Sequence, residues 1–255
     1  MDSVQAARRH DENNHALPSY MGYIPLTVGT TAARLIQYPG IAERLGGDPD
    51  KWTVREVGDG NLNYVYIVEG PAGSLCAKQA LPYVRLVGES WPLPLTRSFY
   101  EHAALVRQDK ANGSVPEIYH FDGNQALILM ENLTPHIIWR KALINREQHE
   151  TAAKAMGEFM AETFFRTSDL SLTAAEKKRE MALFAGNTAL CKITEDLVFT
   201  DPYREHPLNK WTSPELDETV LQIRGDPQWK AAIQELKHMF MTRTEALIHG
   251  DLHTG

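Results

Sequence analysis

Residues 53–81 read TVREVGDGNLNYVYIVEGPAGSLCAKQAL. Val54, Tyr64, Tyr66 and Val68 alternate with polar or small residues, the period-two pattern of a half-buried strand. Pro71-Ala72-Gly73 is a turn signal, and Ser74 to Leu81 reads as a returning strand that carries Lys78. The stretch from Thr53 to Leu81 is therefore expected to form antiparallel strands, with a glycine-rich turn at Gly58-Asp59-Gly60.

On the N-terminal side, Thr31 to Leu45 suits a short helix broken at Pro39-Gly40. Residues 1–20 read as a tail: Met1 to His15 are polar and mixed in charge and lack the apolar centre of a signal peptide. On the C-terminal side, Val87 to Leu95 reads as irregular, and Thr96 to Arg107 as a helix with a stripe of Tyr100, Ala103, Ala104 and Leu105. Ala126 to Met130 suits a buried strand that runs into a linker at Glu131-Asn132-Leu133. Beyond Thr134 the pattern turns helical. Gln148 to Phe165 carries Ala152, Met156, Phe159 and Thr163 at helical spacing, and Ala175 to Phe184 is a further helix. Asp226-Pro227 is a helix start, with Asp as N-cap and Pro at the first helical position. Trp229, Ala232, Ile233, Leu236 and Phe240 form the stripe that follows. Ala246-Leu247-Ile248 is a strand-like run that delivers His249-Gly250-Asp251-Leu252-His253. Strands come first and helices second, so the fold class is α+β in two lobes: residues 21–132 and a helical 133–255, hinged near Glu131.

The 255 residues are 43% hydrophobic and 23% charged, ordinary for a globular chain. A net charge of -7 argues against broad nucleic-acid binding, which needs clustered Lys and Arg. It leaves room for a nucleotide, which needs only one or two local cations. Cys76 and Cys191 have neither disulfide nor zinc spacing and read as reduced thiols. No apolar run reaches membrane-spanning length, so no membrane partner is expected.

Four features carry chemistry. The glycines Gly58 and Gly60 between two strands let backbone N–H groups approach phosphate oxygens, or they simply make a hairpin turn. Asn61 either donates its amide to a phosphate or tolerates a left-handed turn. Lys78, on the returning strand, supplies a point charge for phosphates or is a solvated strand lysine. Glu101 on the following helix and Glu89 are rival partners for Lys78. Asp251, in a tight loop that Gly250 allows, can accept a proton from a substrate hydroxyl. The histidines beside it suit hydrogen bonds within the loop better than metal ligation.

His249 to His253 resembles the catalytic loop of the aminoglycoside and choline kinase superfamily, relatives of protein kinases. Gly58 to Tyr66, Lys78 to Arg85 and Val87 to Leu93 resemble the methylthioribose kinase family. Met130 to Leu133 resembles its hinge. The resemblance implies a protein-kinase-like fold and an ATP-dependent, cytoplasmic kinase. Its acceptor would be the anomeric hydroxyl of 5-methylthioribose, in methionine salvage. Asn61 and Lys78 would contact ATP, Gly58 and Gly60 would frame its phosphates, and Glu101 would hold Lys78. The Glu131, Asn132 and Leu133 backbone would bind adenine, and Asp251 would face the sugar.

The resemblance also implies a homodimer, although no interface signature is visible. In that family the acidic motif for Mg²⁺, a substrate-binding arginine and several helices follow the catalytic loop. The chain is therefore expected to be a piece of a longer product, with no metal ligand before Gly255, little turnover alone and an exposed apolar patch. Two other readings are a choline, homoserine or aminoglycoside kinase and a non-catalytic nucleotide-binding module.

Overall fold

The computed structural model describes residues 20–58, 60–85 and 88–254. The expected tail, apart from Tyr20, lies outside them, as do Asp59, Leu86, Val87 and Gly255.

Two short helices open the described chain, α1 (Val28–Leu35) and α2 (Ile41–Leu45). Thr27 caps α1 through its hydroxyl, and the break falls at Gly40 in the left-handed conformation. Strands β1 (Thr53–Glu56), β2 (Asn63–Gly70) and β3 (Gly73–Ala80) follow, close to the expected positions. Together with β6 (Ile118–Asp122) and β7 (Leu127–Glu131) they make a five-stranded antiparallel sheet, in the order β1-β2-β3-β7-β6. Between β3 and β6 lie a small hairpin, β4 (Tyr83–Val84) and β5 (Gly88–Pro92), and α3 (Arg97–Ala111). The stretch from Val87 to Leu95 is thus partly strand rather than irregular, because Tyr83 and Val84 offer it a partner.

Register decides which residues form the core. In β2, β3 and β7 the partners Tyr66, Ala77 and Leu129 share one face, with Val68 and Leu75 beside them. Leu35, Ile41, Leu45 and Trp52 pack on that face and bury it. The close approach is visible at Gly70, where an added Cβ would lie 2.0 Å from the carbonyl oxygen of Leu45. Segment 22–26 is strapped to the sheet by two buried glutamines. Gln79 accepts from Leu26 N at 2.7 Å and donates to the Ile24 and Gln125 carbonyls, each at 3.0 Å. Gln125 accepts from Ile24 N and donates to the Gly22 carbonyl.

After β7 the chain is helical: α4 (Trp139–Ile144), α5 (Ala152–Thr167), α6 (Ala174–Phe184), α7 (Thr188–Leu197), α8 (Asp217–Gly225) and α9 (Pro227–Thr242). Asp226 caps α9, accepting from the Gln228 and Trp229 N–H groups. One expectation fails here. Residues 246–248 form no strand, since no neighbouring strand offers them hydrogen bonds and Leu247 N donates instead to the Thr167 hydroxyl. The α9 stripe is not a core face: Trp229 is 49% and Leu236 48% exposed. Leu221 of α8 and Met241 are also exposed, so this end presents an apolar surface.

Candidate active site

The β3 register sets Lys78 opposite Val65 on one side and Ile128 on the other. Side chains alternate along a strand, so Lys78 points away from the core that Ala77 enters. Helix α3 lies on Lys78's side. Its Glu101 carboxylate accepts from Lys78 at Nζ···Oε1 2.5 Å, and both side chains are about a quarter exposed, at 28% and 27%. Of the two acidic residues that the sequence left open, Glu101 makes the contact; Glu89 lies exposed on β5. Cys76 shares this face. Burial pushes its thiol up to about 11, with Lys78 opposing the shift and Glu101 adding to it.

Both arms of the glycine turn are held by backbone hydrogen bonds. Val57 N donates to the Val65 carbonyl at 2.8 Å, Arg85 N to that of Asn61 at 2.7 Å and Leu81 N to that of Leu62 at 3.0 Å. A Cβ at Gly60 would lie 3.1 Å from the Asn63 carbonyl oxygen, close enough that the backbone there would have to shift slightly; at Gly58 the space is open. Asn61 is exposed and does not take a left-handed conformation, which removes that explanation for an asparagine here.

Residues 131–133 leave β7 at the sheet's end. Glu131 is paired by backbone to Glu117, and its carboxylate accepts from Glu117 N at 3.2 Å. The Asn132 amide donates to the Ser74 hydroxyl at 3.0 Å, and Leu133 is 46% exposed.

At the far end, Gly250 takes φ +80°, which a residue with a Cβ rarely adopts, and turns the chain before Asp251. The Asp251 side chain is 85% exposed. Both neighbouring histidines serve the loop: His249 Nδ1 accepts from Asp251 N at 3.3 Å, and His253 Nε2 lies 3.6 Å from Asp251 Oδ2. Arg140 of α4 holds the loop's end. Its N–H donates to the Thr254 carbonyl at 2.6 Å, and its guanidinium lies 3.5 Å from His253 Nδ1. Behind the loop, Phe159, Met160 and Phe164 of α5 and Ile248 and Leu252 line an apolar groove of about 140 Å³.

The structure thus gathers two groups, one around Lys78 and one around Asp251. Sequence reasoning missed Arg140 and also Arg97. Arg97 stands one helical turn before Glu101, a spacing that puts both on one face of α3. Among the described residues, no group of three or more His, Cys, Asp or Glu side chains is placed to hold a metal ion.

Comparison with known proteins agrees with this layout. Over 242 residues, 94% of the chain, it is 46% identical to the methylthioribose kinase of Escherichia coli O45:K1. It is 45% identical over 236 residues to methylthioribose kinase 1 of Oryza sativa subsp. japonica and 42% identical over 231 residues to the methylthioribose kinase of Yersinia pseudotuberculosis serotype O:3. The chain spans little more than half the length of these relatives, 57%, 55% and 56%. The model of the phosphotransferase enzyme family matches residues 53–255, from the first strand of the sheet through the Asp251 loop. With an antiparallel sheet that presents a Lys–Glu pair, followed by helices leading to that loop, the chain belongs to the phosphotransferase enzyme family.

Proposed function

We propose that this chain carries the nucleotide-binding sheet and the catalytic loop of an ATP-dependent kinase that phosphorylates the 1-hydroxyl of 5-methylthioribose, a step of methionine salvage. The observation that carries the kinase reading is the Lys78–Glu101 pair at 2.5 Å. A carboxylate on a packed helix aims the ammonium along the sheet face, where it can meet nucleotide phosphates. The acceptor is drawn from the names of the relatives, all of them methylthioribose kinases.

In this reading the Glu131–Leu133 backbone takes the adenine, and Gly58, Gly60 and Asn61 frame the phosphates. Asp251 accepts the hydroxyl proton as the sugar oxygen attacks the terminal phosphorus. The bond to the bridging oxygen breaks and ADP departs. The exposure of Asp251 suits this role, since an acceptor sugar must reach it from solvent. Among the described residues no group of three or more His, Cys, Asp or Glu side chains is placed to hold magnesium. The 1–20 tail, the lobe boundary near residue 132 and a homodimer belong to the same proposal.

The test is a panel of methylthioribose, choline, homoserine and an aminoglycoside with labelled ATP, run on the native polypeptide. Label is expected on methylthioribose alone. Asp251→Asn should lower turnover roughly 10²–10⁴-fold, the usual contribution of a general base. Transfer to choline with none to methylthioribose would overturn the acceptor.

A further inference from the structure

Arg97 is 3% exposed, yet no carboxylate lies within ion-pair distance of it among the described residues. Its guanidinium instead takes three oxygens from two chain segments. Nη1 donates to Asn63 Oδ1 at 2.7 Å, and Nη2 donates to the carbonyls of Leu62 and of Leu81, the latter at 2.9 Å. Burial lowers its pKa to about 10, partly offset by the charge of Glu101 one turn away. A buried guanidinium is costly unless its donors are used, so a folding role alone would be met more cheaply by an apolar side chain.

The place of the three acceptors is informative. Leu62 and Asn63 are the arm by which the glycine turn returns to β2, and Leu81 follows the last residue of β3. Arg97 therefore joins the turn that carries Asn61 to the strand that carries Lys78, and it does so from the helix that carries Glu101. A planar fork suits this task, because one rigid group spans several oxygens at fixed angles, which an ammonium does not.

We infer that Arg97 is a positioning residue for nucleotide phosphates: it fixes the glycine turn at a set height above Lys78. This rests on the proposed nucleotide role of the sheet and adds a residue to it. Without Arg97 the arm keeps only its backbone bonds, and Asn61 samples positions from which its amide misses a phosphate.

The experiment compares Arg97→Lys and Asn63→Ala with the parent in the native polypeptide. Asn63→Ala leaves the buried cation two of its three acceptors, so it reports even where Arg97→Lys fails to fold. Two readouts are taken: the dissociation constant for ATP on the folded fraction, and amide hydrogen exchange across residues 60–63 without nucleotide. The expected result is ATP binding weaker by about tenfold for Arg97→Lys, the equivalent of losing one charged hydrogen bond. A smaller loss in the same direction is expected for Asn63→Ala, with faster exchange in residues 60–63 for both. Unchanged exchange and unchanged ATP affinity in the variants, with a lowered melting temperature alone, would overturn the inference. A parent that binds no ATP would instead remove the nucleotide reading, while the exchange data would still decide whether Arg97 sets the turn.

Discussion

Lys78 stands on the side of the sheet that faces α3, opposite the closed core, and Glu101 of that helix is its ion-pair partner. Lys78→Met is expected to weaken ATP binding by roughly tenfold to a hundredfold, as for the loss of one or two charged hydrogen bonds. Its melting temperature should stay near the parent's, since a quarter-exposed ion pair stabilises little. Isothermal titration and a thermal scan check both halves. His120 of β6 behaves differently. Burial lowers its pKa below the ordinary 6.5, with the nearby Asp122 opposing. The unfolded chain therefore binds a proton that the folded one resists. The stability held by neutral His120 is complete above pH 6.5 and is lost as pH falls through the lower folded value. Between pH 7 and pH 5, His120→Gln should lose less stability than the parent in urea titrations. Single residues of this kind were the least legible in the sequence. Lys78, Glu101 and Asp251 stood out because each had a chemical role to fill. Arg97, Gln79 and Gln125 did not, since a polar residue in sequence shows nothing of the distant carbonyls it will satisfy.

Elements were legible where a local rule governs them. Alternation revealed β2, the turn signal at Pro71-Ala72-Gly73 revealed the returning β3, and the capping preference of Asp before Pro placed the start of α9. Asp226→Ala should cost about 1 kcal/mol through the loss of that cap, read as reduced helicity and a lower urea midpoint. Elements that depend on a distant partner escaped notice. β6 is an edge strand whose five residues are all half-buried, so no clean alternation marks it. β5 exists only because Tyr83 and Val84 pair with it. Packing between elements is just as hidden in the sequence. Gly70 looks like an ordinary turn glycine, but the α2 backbone rests against it. Gly70→Ala should destabilise by about 1–3 kcal/mol or prevent folding, since backbone rather than a flexible side chain must yield. Chemical denaturation of that variant measures it.

At the scale of the molecule, the sheet and the helices are joined by a half-buried ion pair. Arg107 of α3 makes two hydrogen bonds to the Glu180 carboxylate of α6, Nη2 to Oε1 at 2.9 Å and Nε to Oε2, and lies over the Phe184 ring. Beside it, the Tyr100 hydroxyl fills the space where Gly186 would carry a Cβ, so the two parts meet in close contact as well as through charge. Glu180→Gln keeps the shape and removes the charge, and it should lower stability by about 1–2 kcal/mol. The loss should show as a lower urea midpoint, with the helical signal moving ahead of the tyrosine signal from the sheet.

Helix α3 thus makes three attachments in eleven residues: Arg97 to the glycine turn, Glu101 to Lys78 and Arg107 to α6. Each further residue along a helix turns the next side chain by about 100° and advances it by about 1.5 Å. An inserted or deleted residue between Arg97 and Arg107 would therefore swing at least one attachment to the wrong side of the rod, whatever residue was added. The same change at Asn112 or Gly113, past the last attachment, would disturb none of them. For these three attachments the count of residues between Arg97 and Arg107 matters as much as the identity of the residues that make them.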